Sequence, residues 1–265
     1  MADSTKPYFL LVTGSFALPS MYDSLVEAMK ERGYELKAVH LPTVGVAPGK
    51  GRDVTPPPTM YDDAAAIAKE VQTLADAGRE VILVAHSYGG IPATESTKGL
   101  SVQERKKAGK KGGLVRLAYK TVVLTTPGHT AAEVLAQMPQ TGRVGLQPDE
   151  KGWLHQTDPE QSARNCFSDL PLEEALARNK EFALHSGVSF TNPLTHAGYK
   201  DVPVSYLVCE GDLVISPEIQ RAGIEMVEKE TGDRVDVTSI RSGHCPSVSV
   251  CDQVVEWLVK IAEKH

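Results

Sequence analysis

The stretch "VILVAHSYGG", residues 81–90, decides the fold of this chain. Its apolar first half is typical of a strand buried on both faces of a parallel sheet. The five residues "AHSYG", 85–89, match the G-x-S-x-G pattern, in which small residues let the chain turn sharply from strand to helix and expose a serine hydroxyl. Ala85 replaces the first glycine. Ser87 is therefore either a nucleophile exposed on that turn or an ordinary loop serine. Whether the chain also supplies a histidine base and a carboxylate distinguishes these two interpretations.

Strand-like and helix-like segments alternate along the chain. Apolar runs typical of buried strands lie at residues 8–14, 35–42, 80–86, 114–128, 202–212 and 234–244. Helical segments lie between them, with Ser20 and Thr59 as candidate N-caps and Gly33 and Gly78 as stop signals. Because parallel strands need crossover connections, the pattern predicts an α/β fold, a mostly parallel sheet flanked by helices in one domain spanning residues 1–265.

Residues 129–200 are predicted to form a cap inserted into this domain. Their periodicity is weak, and they are broken into short pieces at Pro139, Pro148, Pro159, Pro171 and Pro193.

Composition restricts the classes of function. The net charge is -6, from 28 basic and 34 acidic side chains, so a nucleic-acid partner, which would need a basic surface, is not expected. The basic run at 105–111 contains no aromatic residues and is interpreted as a solvated helix end and loop. The apolar run near the N-terminus is too short for a signal peptide or a membrane span, so we expect a cytosolic protein without a membrane partner.

The cysteines do not indicate a metal site. The chain has 4 of them, at positions 166, 209, 245 and 251, and their spacing is not that of metal ligands. We predict reduced thiols, no metal and no cofactor.

Two further residues complete a catalytic pattern with Ser87. A serine hydroxyl needs a histidine base that a carboxylate orients. Asp212 and His244 follow successive predicted strands in the order Ser, Asp, His. Taken singly, Asp212 could be a turn residue and His244 a surface histidine. Ligands of such sheets bind at the carboxyl ends of the strands, and the shared position there favours a triad.

An oxyanion hole is predicted from two backbone amides. Tyr88 N–H follows the nucleophile, and the loop after the first strand offers Ser15 or Phe16. Gly14 lets that loop approach the site closely and is itself predicted to contact the substrate. The sequence leaves the choice between Ser15 and Phe16 open.

With these residues the chain resembles the α/β-hydrolase superfamily almost from end to end. It is most similar to the branch of small esterases and hydroxynitrile lyases that includes plant methylesterases, and to related fungal hydrolases. The resemblance rests on "MYDSLVEAMKERGYELKAVHLPTVG", "VILVAHSYGG", and "YLVCEGDLVISPEIQ" followed by "SGHCPS". It implies Ser87, Asp212 and His244 as the triad, beneath a cap that shapes the substrate pocket.

The chain departs from the family pattern at two places. Thr13-Gly14 stands where the family usually has His-Gly, which alters the hydrogen bonding behind the oxyanion loop. Cys245 stands where the hydroxynitrile lyases have a lysine, so cyanogenic lyase activity is not expected.

The family comparison also suggests which cap residues bind substrate. Apolar candidates for the pocket lining, most of which could instead pack the cap onto the sheet, are Trp153, Phe167, Phe182, Phe190 and Leu194. The histidines at 129, 155, 185 and 196 lack the spacing of a zinc site and are read as solvated or hydrogen-bonded loop positions.

The predicted function is hydrolysis of a small-molecule carboxylic ester or lactone through an acyl-enzyme. Two alternatives stay open. One is a lyase or cyclase acting on a polyketide-like metabolite, with His244 as base. The other is a ligand-binding protein with slow or absent turnover. The expected partner is a small-molecule substrate, and a homodimer is left open.

Overall fold

A six-stranded parallel sheet forms the centre of the computed structural model, which describes residues 6–138 and 143–264. Along the chain the strands are β1 (Tyr8–Val12), β2 (Leu36–Val39), β3 (Glu80–His86), β4 (Gly113–Lys120), β5 (Leu146–Pro148), β6 (Trp153–Gln156), β7 (His185–Ser186), β8 (Val204–Cys209) and β9 (Asp236–Ile240). The central sheet has the order β2-β1-β3-β4-β8-β9, and each neighbouring pair is parallel. The predicted α/β class is confirmed.

Helices cover both faces of this sheet. They are α1 (Asp23–Glu31), α2 (Met60–Asp76), α3 (Gly90–Glu95), α4 (Val102–Lys107), α5 (Ala131–Leu135), α6 (Pro159–Cys166), α7 (Leu172–Asn179), α8 (Pro217–Thr231), α9 (Pro246–Ser249) and α10 (Cys251–Ala262). In the part of the chain that the structure describes, none of them is long and apolar enough to cross a membrane.

The period of two along β1 divides the core into two halves. Leu10 and Val12 pack in one buried cluster with apolar side chains of α2, α3 and α8. Phe9 and Leu11 pack in a second cluster with side chains of α1, α6, α7 and α10. Because successive side chains of a strand point to opposite faces, a continuous apolar run is what a sheet covered on both sides requires.

Local signals explain where the predicted helices begin and end. Thr59 forms a capping box with Asp62 at the start of α2, and Gly78, just beyond its end, has a φ of 82°. These two assignments are confirmed. Ser20 is not an N-cap, because it lies in a 3₁₀ turn, Pro19–Tyr22, that precedes the first residue of α1.

The predicted cap segment, residues 129–200, contains α5 to α7 and a second sheet. This sheet is antiparallel, in the order β5-β6-β7. Backbone hydrogen bonds tie it to the loops of the main sheet, from Ala183 N to Phe16 O (2.9 Å) and from Ser186 N to Thr43 O (2.8 Å). Residues 139–142 of the predicted cap, including Pro139, lie outside the described residues.

Close packing at the end of β3 leads to the first prediction. A Cβ added at Gly89 would lie 2.5 Å from the Thr13 carbonyl oxygen, which belongs to the rigid backbone after β1. We expect Gly89→Ala to lower the free energy of unfolding by about 1–3 kcal/mol, measured by urea denaturation.

Gly223→Ala in α8 is the matched control. Its added Cβ first meets Leu124 Cβ at 3.3 Å, and alanine favours the helix, so the loss should be much smaller. Equal stability of Gly89→Ala and the unsubstituted protein would contradict the prediction.

Candidate active site

Ser87 lies at the turn between β3 and α3 with an unusual backbone conformation. His86 is still extended, with φ -121° and ψ 133°, and Ser87 then adopts a φ of 55° at the start of a short 3₁₀ turn. A left-handed conformation in a residue other than glycine costs about 1–2 kcal/mol. It reverses the chain sharply, and it places Ser87 on the wall of a mostly apolar cavity.

The structure brings Ser87, His244 and Asp212 into one hydrogen-bonded line. The distance from Ser87 Oγ to His244 Nε2 is 2.9 Å, and that from His244 Nδ1 to Asp212 Oδ2 is 2.8 Å. With Nδ1 protonated and donating to the carboxylate, Nε2 can accept the hydrogen of the Ser87 hydroxyl. All three residues are buried.

The loop after β8 holds the Asp212 carboxylate in place. Oδ1 accepts hydrogen bonds from the amides of Val214 (2.8 Å) and Ile215 (2.9 Å). Oδ2 faces His244 and also receives a longer bond of 3.4 Å from Gln220 Nε2. These hydrogen bonds fix the orientation of the carboxylate, with Oδ2 directed to the histidine.

A cavity of about 400 Å³ opens in front of Ser87. Its wall is mostly apolar and includes Met21, Leu135, Leu154, Phe190, Val214 and Val248. In the described part of the chain, the residues that line this cavity include Arg143, which carries a formal charge, and no aspartate or glutamate. The described residues contain no group of three or more His, Cys, Asp or Glu side chains arranged to hold a metal.

Similarity to known proteins agrees with this fold. A family model described as "Alpha/beta hydrolase family" matches residues 9–257. The chain belongs to the alpha/beta hydrolase family. This hydrolase is 34% identical over 258 residues to the probable hydrolase R7 of Phoma sp., covering 97% of the chain and 99% of R7. It is 24% identical over 277 residues to methylesterase 1 of Arabidopsis thaliana, covering 99% of the chain and 98% of the relative.

Solved structures share the hydrolase's fold. A pyrethroid hydrolase from Sphingobium faniae superposes with a TM-score of 0.71 at 24% identity, covering 97% of each chain. Polyneuridine aldehyde esterase superposes with a TM-score of 0.70 at 15% identity, covering 97% of this chain and 99% of the other. At such identities the likeness speaks for the fold alone.

Two of the predicted pocket residues lie elsewhere in the hydrolase. Gly14, Phe182 and Phe190 line the cavity, whereas Trp153 and Phe167 are absent from its described wall. Both side chains are buried, which agrees with the alternative role in packing that the sequence left open.

Packing explains where these two side chains lie. The indole of Trp153 lies against Gly51, where an added Cβ would come within 2.6 Å of the ring. Phe167 stacks on Phe182, with ring centroids 5.8 Å apart, and packs in a core cluster. Leu194, the remaining apolar candidate, packs in the core of the sheet.

The two candidate amides of the oxyanion loop differ in their partners. Phe16 N–H points to His185 Nδ1 at 3.4 Å, whereas the Ser15 amide finds no acceptor among the described residues. Ser15, Phe16 and Tyr88 all line the cavity. Gly14 permits the close approach expected from the sequence, because a Cβ there would lie 3.2 Å from Ser87 Cβ.

His185, a cap residue in β7, contacts both sides of this region. Its ring centroid lies 5.4 Å from that of Phe16 and 4.7 Å from that of Tyr88. Burial lowers its pKa to about 3, so the ring is neutral, and the Nε2 hydrogen faces Ser189 Oγ at 2.9 Å. The prediction of a hydrogen-bonded position is confirmed for His185, but its contact with the oxyanion loop had no signal in the sequence.

The side chain of Tyr88 is fixed by a cluster of buried hydrogen bonds around Asp63. Its hydroxyl donates to Asp63 Oδ2 (2.8 Å), and the same carboxyl group accepts hydrogen bonds from the amide (2.9 Å) and hydroxyl (2.6 Å) of Thr43. Burial raises the pKa of Asp63 to about 7. This cluster fixes the position of Tyr88, the residue after Ser87.

A chain of hydrogen bonds replaces the missing His-Gly pair behind the oxyanion loop. Gly14 N–H donates to the Tyr22 hydroxyl (3.1 Å), which donates to His86 Nδ1 (2.8 Å), and His86 Nε2 donates to the His244 carbonyl (2.8 Å). Burial, assisted by the nearby Lys120 cation, lowers the pKa of His86 well below its usual range and keeps it neutral. The chain thus links the loop after β1 to the backbone of His244.

We predict that Tyr22→Phe destabilises the hydrolase by about 1–3 kcal/mol, because the buried Gly14 amide and His86 Nδ1 would both lose their partner. Urea denaturation gives the measurement. Tyr34→Phe is the control, since the Tyr34 hydroxyl makes no hydrogen bond to the described residues, and it should change the stability little. A loss no larger than that of the control would contradict this role of Tyr22.

Lys120, the last residue of β4, is fully buried beside this chain. Its ammonium donates to Ser247 Oγ and lies 5.1 Å from the centroid of the Tyr22 ring. Burial lowers its pKa to about 8, with partial compensation from Cys245, Cys209 and Cys251. Nothing in the sequence distinguished this lysine, because "YKT" at the end of a strand is equally consistent with an exposed and with a buried lysine side chain.

A lysine whose pKa falls from 10.5 to about 8 on folding destabilises the protein while it is charged. The unfolded chain binds more protons than the folded one between these values, so stability should rise with pH across this window. We therefore predict that Lys120→Met raises the free energy of unfolding at pH 7 by about 1–3 kcal/mol, and that the gain shrinks above pH 8.

Denaturation at a series of pH values tests this prediction. The exposed Lys106→Met variant provides the control and should give neither the gain nor its pH dependence. A less stable Lys120→Met protein at pH 7 would contradict the prediction.

Proposed function

We propose that this hydrolase cleaves a small-molecule carboxylic ester or lactone through an acyl-enzyme formed on Ser87. The observation that carries the proposal is the continuous line from Ser87 Oγ through His244 to Asp212, with bonds of 2.9 and 2.8 Å. Family membership supports hydrolysis in general. Two relatives are named methylesterases, and these names support an ester as the bond cleaved.

The mechanism begins with proton transfer from Ser87 Oγ to His244 Nε2 as Oγ attacks the carbonyl carbon. Asp212 stabilises the resulting imidazolium and keeps the ring oriented. The tetrahedral intermediate collapses, and His244 returns the proton to the departing alcohol. Water then repeats the sequence, giving the carboxylic acid and regenerating the serine.

The oxyanion of the intermediate is assigned to the amides of Tyr88 and Ser15. Ser15 is preferred over Phe16, because the Phe16 N–H is directed to His185, whereas the Ser15 amide is free of partners within the described residues. Preorganised donors of this type contribute about 2.7–4 kcal/mol each to transition-state stabilisation. A cytosolic location is also proposed, and the free state of the four cysteines supports it.

Substitution of the nucleophile tests the proposal. Ser87→Ala should lower kcat for p-nitrophenyl butanoate by about 10⁴-fold or more, because the acyl-enzyme can no longer form. A fluorophosphonate probe should label the unsubstituted hydrolase at Ser87, as located by mass spectrometry.

Ser96→Ala is the matched control for this substitution. Ser96 is also buried, but its hydroxyl donates to the Ala93 carbonyl outside the cavity, so turnover and labelling should both persist. Turnover by Ser87→Ala comparable to that of the control would contradict the proposal. Labelling at Ser87 without turnover of any ester would favour the lyase alternative.

A further inference from the structure

Lys120 is a buried cation that takes no part in the proposed mechanism. Lys120 is 0% exposed, and in the described part of the chain its ammonium has one hydrogen-bond acceptor, Ser247 Oγ, and no carboxylate in an ion pair. Buried charges in proteins are normally paired, because an uncompensated one costs several kcal/mol. The Lys120 ammonium therefore lacks a compensating negative charge among the described residues, and a bound anion would provide one.

The neighbouring thiols do not supply that charge. Burial raises the pKa of each of the nearest ones, Cys209, Cys245 and Cys251, so all three are neutral at physiological pH. His86 is neutral as well. The Tyr22 ring offers its face to the ammonium but no formal charge, since burial raises the pKa of the Tyr22 hydroxyl far above neutrality.

Ser247 connects this cation to the cavity. It belongs to α9, three positions beyond His244, and lines the same cavity as Ser87. Its oxygen accepts the hydrogen bond from Lys120, which leaves the hydroxyl hydrogen to be donated elsewhere. No described residue accepts that hydrogen. A hydroxyl polarised by an ammonium and open to a cavity is a strong donor for a negatively charged oxygen.

The rest of the cavity is compatible with an anion. Its described wall contains no carboxylate, and Arg143, whose guanidinium is held by the carbonyls of Ala136 and Met138, adds a second cation. The surrounding apolar side chains lower the local dielectric and strengthen the attraction.

We propose that Ser247, polarised by Lys120, binds an anionic oxygen group of the substrate, a carboxylate in the first instance. The inference rests on the proposed ester hydrolysis and narrows its substrate class to esters that carry a negative charge on the same small molecule. Lys120 acts through Ser247 and is a positioning residue, whereas Ser247 contacts the substrate.

The test compares the monomethyl and dimethyl esters of malonate, succinate, glutarate and adipate. The two members of each pair present the same methyl ester with and without a carboxylate at the far end. We expect kcat/KM for the monomethyl ester to exceed that for the dimethyl ester by about tenfold or more at one chain length, which corresponds to about 1.4 kcal/mol.

Three variants test whether this preference arises at the proposed site. Ser247→Ala and Lys120→Met should each lower the ratio of the two kcat/KM values to near one, whereas Ser247→Thr, which keeps the hydroxyl, should retain most of it. Ser96→Ala and Lys106→Met are controls for loss of a buried hydroxyl and of a lysine, and should leave the ratio unchanged. A ratio in Ser247→Ala equal to that of the unsubstituted hydrolase, or preference for the dimethyl ester at every length, would overturn the proposal.

Binding to Ser87→Ala separates this inference from the proposed function. Isothermal titration of that variant with the same monomethyl esters should give a dissociation constant that rises about tenfold or more when Ser247→Ala is added. If the hydrolase cleaves none of the esters but this difference in binding is found, ester hydrolysis fails and the anion site stands. If it cleaves them with no difference in ratio or binding, the anion site fails and the hydrolase function stands.

Discussion

The left-handed conformation of Ser87 is the constraint on which the rest of the site depends. A φ of 55° in a serine is unfavourable by itself, and it persists because the surrounding structure determines it. Gly89 and Gly90 allow this, since a Cβ at either would overlap the end of β1 or the segment after β4. The carboxyl ends of β1, β3 and β4 therefore pack closely together. The loops that carry the candidate oxyanion amides and His244 lie beside Ser87 at this edge of the sheet. The sheet thus fixes the positions of the candidate catalytic groups.

Much of this arrangement could be predicted, because it depends on short, local signals. Apolar runs mark the strands, and the order Ser87, Asp212, His244 follows from their ends. The cap could not be predicted in the same way. Its strands are only two to four residues long, too short for a periodic pattern, and an aromatic side chain there can face the cavity or the core. Trp153 faces Gly51 because a glycine distant in sequence leaves room for the indole.

The hydrogen bonds behind the oxyanion loop show a second limit of the sequence. Thr13-Gly14 implies different hydrogen bonding behind the loop, and Tyr22 and His86 supply it from two different elements. On the opposite side His185 holds the Phe16 amide, so the cap and the main sheet both position the oxyanion region. Each of these residues is unremarkable in its own segment. Only the tertiary structure brings them together, so short sequence motifs do not identify the residues that support the oxyanion loop.

If the substrate carries a carboxylate as proposed, the buried ammonium of Lys120 would link the charge of the substrate to the rate of the reaction. Lys120 lies near His244 along the chain of contacts, because Thr121, the next residue, donates a hydrogen bond to the His244 carbonyl. In the proposed mechanism, the Lys120 ammonium would repel the imidazolium formed on His244, since like charges repel. A carboxylate bound at Ser247 would offset the ammonium and remove part of this repulsion at the moment when His244 gains its charge. Binding energy of that kind is realised in the transition state more than in the ground state, and it raises kcat as well as affinity. A cation that costs folding stability in the free protein would then favour turnover of the substrate whose charge complements it.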